Sequence, residues 1–137
     1  MFKQIDDSLL LCVDFFCHGV PSPLIWKEYI NFINNKKVRA TDYKFRSKRH
    51  GWGKKAQGGD FLSYLEFDNG KIDEWSFKSR LWRYIFFSNL VIRDNCYSCL
   101  YASINKPSDI TMGDFWGVEK INKKYDDGKG CSLVIVH

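Results

Sequence analysis

Two short, almost wholly apolar runs stand near opposite ends of this chain, Ser8–Phe16 (SLLLCVDFF) and Cys131–Val136 (CSLVIV). Each is too short for a typical buried helix, and the first runs out at Gly19 and Pro21, so both predict buried strands. Val38–Phe45 alternates and Phe61–Phe67 precedes the tight-turn sequence Asp68-Asn69-Gly70, so these predict two further strands. Asp109–Phe115 predicts a short strand or turn centred on Gly113.

Two segments carry helical spacing instead. Ser22 reads as an N-cap with Pro23 at the first helical position, and Leu24–Asn34 then places Trp26, Tyr29, Ile30 and Ile33 on one face. Trp75–Leu90 is apolar and aromatic at a similar spacing. Between these elements lie a basic, glycine-rich connection over Arg46–Asp60, a loop over Val91–Pro107 and a polar stretch over Asn122–Gly130. The expected fold is α+β. One domain over 1–137 holds a mixed sheet of Ser8–Phe16, Val38–Phe45, Phe61–Phe67 and Cys131–Val136. Two main helices pack on it, and the cysteine loops meet at one edge.

A chain of 137 residues can bury a substantial core. Aromatics at 17% serve such a core, or line a flat pocket for a conjugated ring. The net charge of +5 favours an anionic partner, such as a nucleotide, a phosphate, an acidic protein or nucleic acid, without choosing among them. The basic residues form no long run and no nucleic-acid motif, so no nucleic-acid partner is expected. No cleavable leader pattern and no apolar stretch near the ~18–20 residues of a membrane span are present, so a cytoplasmic protein is expected. Both ends look cut, because a strand begins within ten residues of Met1 and another stops at His137.

Five cysteines cannot close a disulfide framework among themselves, which favours thiols used as ligands or redox groups. Cys96-Tyr-Ser-Cys99 is a C-x2-C pair, and that spacing lets two thiolates on one loop reach the same metal. Zinc, an iron–sulfur cluster, a dithiol redox pair and a chance surface pair all fit it. Cys17, at a strand end beside His18 and Gly19, is the best third ligand; the plainer reading is a buried free thiol. Cys12 and Cys131 lie within apolar runs and read as core thiols. His18 could complete a Cys3His zinc site, or only bond to backbone.

Several ordered segments resemble the coenzyme F-420 hydrogenase/dehydrogenase beta-subunit family, in its C-terminal domain. They are Cys17-His18-Gly19-Val20-Pro21-Ser22-Pro23 with Trp26 and Tyr29, then Phe45-Arg46-Ser47-Lys48-Arg49-His50-Gly51-Trp52, then Cys96-Tyr97-Ser98-Cys99-Leu100-Tyr101-Ala102, then Ser108-Asp109-Ile110-Thr111-Met112-Gly113-Asp114-Phe115-Trp116-Gly117. The terminal Lys129-Gly130-Cys131-Ser132-Leu133-Val134 also fits, and the full pattern looks like the bacterial type. The resemblance implies an electron-transfer module of a flavin- and iron–sulfur-containing oxidoreductase. It implies a [4Fe–4S] cluster on Cys17, Cys96 and Cys99, and FAD or FMN nearby. Cys12 or His18 could substitute as a fourth cluster ligand, or no cluster binds. Relatives carry a preceding region with a Gly-x-Pro-Cys segment, so that ligand is first expected from outside this chain. That ligand would come from a missing N-terminal segment or a ferredoxin-like partner. A zinc-stabilised binding module and an inactive remnant of a split gene are the alternatives.

Other residues suit a cofactor. Arg46, Lys48 and Arg49 form a cationic cluster beside Gly51 and Gly53, fit for a phosphate or an acidic carrier, or else a solvated hairpin. Trp52 and Trp116 could stack on a flavin or pack in a core. Asp109 and Asp114, flanking Gly113, could order the cluster loop, contact a ribose, or only form turns.

Overall fold

The computed structural model describes residues 8–51 and 62–137. Its elements, in chain order, are β1 (Val13–Phe15), α1 (Pro23–Ile33), β2 (Ala40–Ser47), β3 (Leu62–Phe67), β4 (Ile72–Asp73), α2 (Phe77–Phe87), α3 (Asp94–Tyr97), β5 (Ile110–Asp114), α4 (Val118–Ile121) and β6 (Ser132–Val136). A single 3-10 turn at Lys123–Tyr125 interrupts the polar stretch before β6.

The expected α+β class holds, with two main helices. The strands divide differently from the expectation of one sheet: β2-β3-β4 form an antiparallel sheet, and β1-β5-β6 form a mixed one. The reason is β5. The 109–115 segment is the central strand of the mixed sheet, parallel to β1 and antiparallel to β6, so it partners both apolar runs itself.

Tyr29 and Ile33 of α1, Leu65 of β3 and Trp82 of α2 form the main core. Trp26 meets Trp82 edge-on at 4.7 Å between ring centroids, and Tyr29 lies 5.4 Å from Trp82. Offset and edge-on ring pairs are the geometry the ring quadrupole favours. The hydroxyls are also used: Tyr29 donates to the Lys78 carbonyl at 3.0 Å, and Tyr43 and Ser63 donate to the Ser79 carbonyl at 3.3 and 2.8 Å. Trp26, Tyr29, Tyr43, Phe45, Phe67 and Trp82 thus serve this core, and burial pushes the Tyr29 hydroxyl well above its ordinary pKa.

The helix ends follow local chemistry. Ser22 precedes Pro23 as expected, but its side chain makes no cap; its amide donates to the Val91 carbonyl at 2.7 Å instead. Ser76 caps α2 by accepting from the Ser79 amide at 3.3 Å, and Asp73 in turn accepts from the Ser76 amide at 3.0 Å. That cap starts the helix two residues inside the expected Trp75–Leu90 span.

The first apolar run behaves least as expected. Only Val13–Phe15 pairs as strand, and Leu9, Leu10 and Leu11 are exposed. In the mixed sheet the register aligns Val13, Phe15, Ile110, Met112, Val134 and Val136 on one face. Five of the six are exposed, with Ile110 half-buried, so that face is apolar and open.

Leu65 is fully buried between the helices and the antiparallel sheet. Leu65→Ala should cost ~2–5 kcal/mol of unfolding free energy, and Trp82→Ala ~3–5 kcal/mol, each read as a lower urea midpoint.

Candidate functional site

A cavity of about 650 Å3 opens between β1, the turn that follows it, and the segment from α3 to β5. Cys12, Cys17, His18, Cys96 and Cys99 all line it. Cys17 and both cysteines of the C-x2-C pair thus line the same cavity. Cys12 joins them, which corrects its reading as a core thiol: β1 begins only at Val13, leaving Cys12 exposed on the cavity side. Cys131, just before β6, is half-buried and belongs to no part of the described lining.

The two cysteine segments are stitched together by backbone. The Val20 carbonyl accepts from the Arg93 amide at 2.9 Å, and Pro21 forms a bridge with Ile92. The Val20 amide donates to the Cys96 sulfur at 3.4 Å. Gly19 makes the approach possible. Its φ is +138°, and a Cβ there would stand 2.8 Å from Ile92 Cγ2. His18 packs on Phe86 and Phe87 of α2, with centroids at 4.8 and 5.1 Å. Cys96 sits in α3 and Cys99 just beyond it, where the expectation was irregular loop.

On the other side Asp109 fixes Cys12. Its carboxylate accepts from the Cys12 amide at 2.7 Å, and its own amide donates to the Cys12 carbonyl at 2.9 Å. Of the readings open for Asp109, the ordering of a cysteine segment is what this geometry performs. Lys106 closes the same wall: its Nζ lies 3.1 Å from Asp14 Oδ2 and donates to the Phe15 carbonyl at 2.9 Å. Burial pushes the Asp14 carboxyl up. Hydrogen bonds from Thr111, Lys106 and Ser108, with the Lys106 charge, outweigh it and hold that carboxyl below the ordinary aspartate range.

The remaining candidates lie elsewhere. Arg46 belongs to β2 rather than to a loop and pairs with Asp114 at the end of β5, which joins the two sheets. Arg49 pairs with Glu74 at 3.1 Å and lies 5.5 Å from the Tyr64 ring centroid. Gly113 admits Phe16, whose Cδ2 would lie 2.7 Å from a Cβ at that position. Trp116 is exposed, and Trp52 lies outside the described residues. None of Arg46, Lys48, Arg49, Asp109, Gly113, Asp114 and Trp116 is in the described lining of the cysteine cavity.

The donor chemistry suits a soft, thiolate-bound group: four thiols share one cavity, and one sulfur already accepts an amide hydrogen bond. Among the described residues, no three His, Cys, Asp or Glu side chains converge on a single ion. Sequence reading missed Asp14 and Lys106 as parts of this wall. The one available signal was the alternation Val13-Asp14-Phe15, which puts Asp14 on the opposite face from its apolar neighbours.

The family model that describes the C terminus of the coenzyme F420 hydrogenase/dehydrogenase beta subunit matches residues 1–137. The chain belongs to this family. Neither a curated protein nor a solved structure matches it. Membership makes the chain a beta-subunit-type module related to oxidoreductases, with its four cavity-lining thiols on the family's C-terminal domain. No helix among the described residues is long and apolar enough to cross a membrane.

Gly19→Ala tests how tightly the two cysteine segments are held. The positive φ and the Ile92 contact together should cost roughly 1–3 kcal/mol. Urea unfolding checks the loss, and hydrogen exchange should localise it to 17–22 and 91–97.

Proposed function

We propose that this chain is an electron-transfer module of an oxidoreductase subunit, holding a [4Fe–4S] cluster through Cys17, Cys96 and Cys99. The observation that carries the reading is the common cavity: thiols 79 to 82 residues apart in sequence (96 − 17 and 99 − 17) line one wall, with the Val20 amide on a sulfur. The cluster would supply one-electron storage. The chain's own residues bind it, direct an N–H dipole at one ligand and shape a recess around it. Cys12 lies on the same cavity and takes the fourth position, one of the alternatives the sequence leaves open beside an outside segment.

The wider assignment follows the family. A flavin, FAD or FMN, would bind where the Arg46–Asp114 pair brings the basic end of β2 close to the segment running to Trp116. The partner would be the preceding segment of the subunit or a ferredoxin-like protein. The open apolar face of the mixed sheet supports such a partner, since Val13 and Phe15 belong both to that face and to the cavity lining. The electron donor or acceptor would be an anionic redox coenzyme in a cytoplasmic setting.

Anaerobic reconstitution of the 137-residue chain with iron and sulfide should give a brown protein with visible absorption that bleaches on reduction. Cys17→Ala, Cys96→Ala and Cys99→Ala should each lose most of the iron, and Cys12→Ala a comparable share. Unchanged iron in Cys12→Ala would return the fourth position to an outside segment. One zinc per chain with no sulfide would establish the binding-module alternative. A chain that takes up neither metal, even with a complete partner, would leave the inactive remnant.

A further inference from the structure

Lys106 is the lysine on the cysteine cavity, and its side chain is only 5% exposed. A lysine is rarely buried so far without a partner that offsets its lost hydration. Here the partners belong to the strand that leads to Cys17: Asp14 Oδ2 at 3.1 Å and the Phe15 carbonyl at 2.9 Å. The ammonium also sits 5.5 Å from the Phe16 ring centroid. Lys106 itself lies in the loop that follows Cys99. The side chain therefore crosses from one cysteine segment to the other, opposite the backbone stitch at Val20 and Ile92.

The crossing has an electrostatic consequence. Asp14 and Lys106 both line the cavity, and their charges cancel. A thiolate-bound cluster carries net negative charge, and reduction adds more. Net negative charge on the cavity wall beside it therefore disfavours reduction, and net positive charge favours it.

We propose that Lys106 is a positioning residue of this site: it ties the Cys99 loop to the strand leading to Cys17, and with Asp14 it sets the charge of the cavity wall. The electrostatic half rests on the reading of the cavity as a cluster site; the tie does not. Substitutions in the pair separate the two. Lys106→Met leaves the Asp14 carboxylate unbalanced and should shift the cluster's reduction potential to more negative values. Asp14→Asn leaves the ammonium unbalanced and should shift it to more positive values. Lys106→Arg, and the double variant D14N/K106M, should stay near the wild type. Loosening of the fold alone would move the two single variants in the same direction.

Hydrogen exchange on the iron-free 137-residue chain tests the tie without any cluster. Lys106→Met should accelerate exchange across 99–109 at least tenfold, and Lys106→Arg should restore the wild-type rate. Should Lys106→Met fail to fold, the Arg and double variants still carry the comparison, because the double variant should exchange fast yet keep the wild-type potential. Unchanged exchange in the double variant overturns the tie. Equal potentials in Asp14→Asn and wild type overturn the charge role. If the wild-type chain takes up no iron, the cluster reading and the charge role built on it both fall, while exchange still decides the tie.

Discussion

The closure of the Gly19–Pro21 turn onto Ile92 and Arg93 is the contact on which the site depends. The Pro21 bridge to Ile92 and the Val20 carbonyl bond from Arg93 join segments more than seventy residues apart. Such closure is entropically expensive. It is supported by α1, which leaves the turn at once, and by α2, which ends just before the partner segment. Both helices are anchored by the same aromatic core, so the Trp26–Trp82 and Tyr29–Trp82 contacts help hold the cysteine segments in register. His18 extends that link directly, because its ring lies on Phe86 and Phe87 of α2.

The two sheets play unequal parts. The antiparallel sheet meets the helices in the main core, where its Leu65 packs with Tyr29, Ile33 and Trp82. The mixed sheet presents the cavity on one side of β1 and an open row of apolar side chains across its face. The Arg46–Asp114 pair spans the gap between sheets at two half-exposed side chains. An exposed pair of this kind contributes little stability by itself. Its larger effect is orientation, since it fixes where the end of β2 meets the end of β5. An apolar face of this kind is more exposed than the antiparallel sheet, whose Leu65 is fully buried.

Polar groups around the cavity are arranged for rigidity. Asp109 accepts from the Cys12 amide and donates back to its carbonyl, while Thr111 and His137 share a 2.8 Å hydrogen bond at the adjoining strand pair. Thr111 is almost fully buried, so its hydroxyl needs that partner. Together with Lys106 and Asp14, these bonds tie down β1, a strand of only three residues that would otherwise be held by few ladder bonds.

Much of this protein was legible in the sequence. The helical spacing of Trp26, Tyr29, Ile30 and Ile33, the Ser22-Pro23 start, the strands β2 and β3 and the C-x2-C spacing of Cys96 and Cys99 all follow from local pattern, because periodicity and turn chemistry act over a few residues. The family could be read from four ordered segments for the same reason. What only the tertiary structure decided depends on contacts distant in sequence. The central place of β5 divides one expected sheet into two. The late start of β1 turns Cys12 from an apparent core thiol into a cavity residue. Asp14 and Lys106, 92 residues apart (106 − 14), become a pair on the cavity wall. Local pattern states which side chains prefer burial; which partner buries them is settled only when distant strands choose their neighbours.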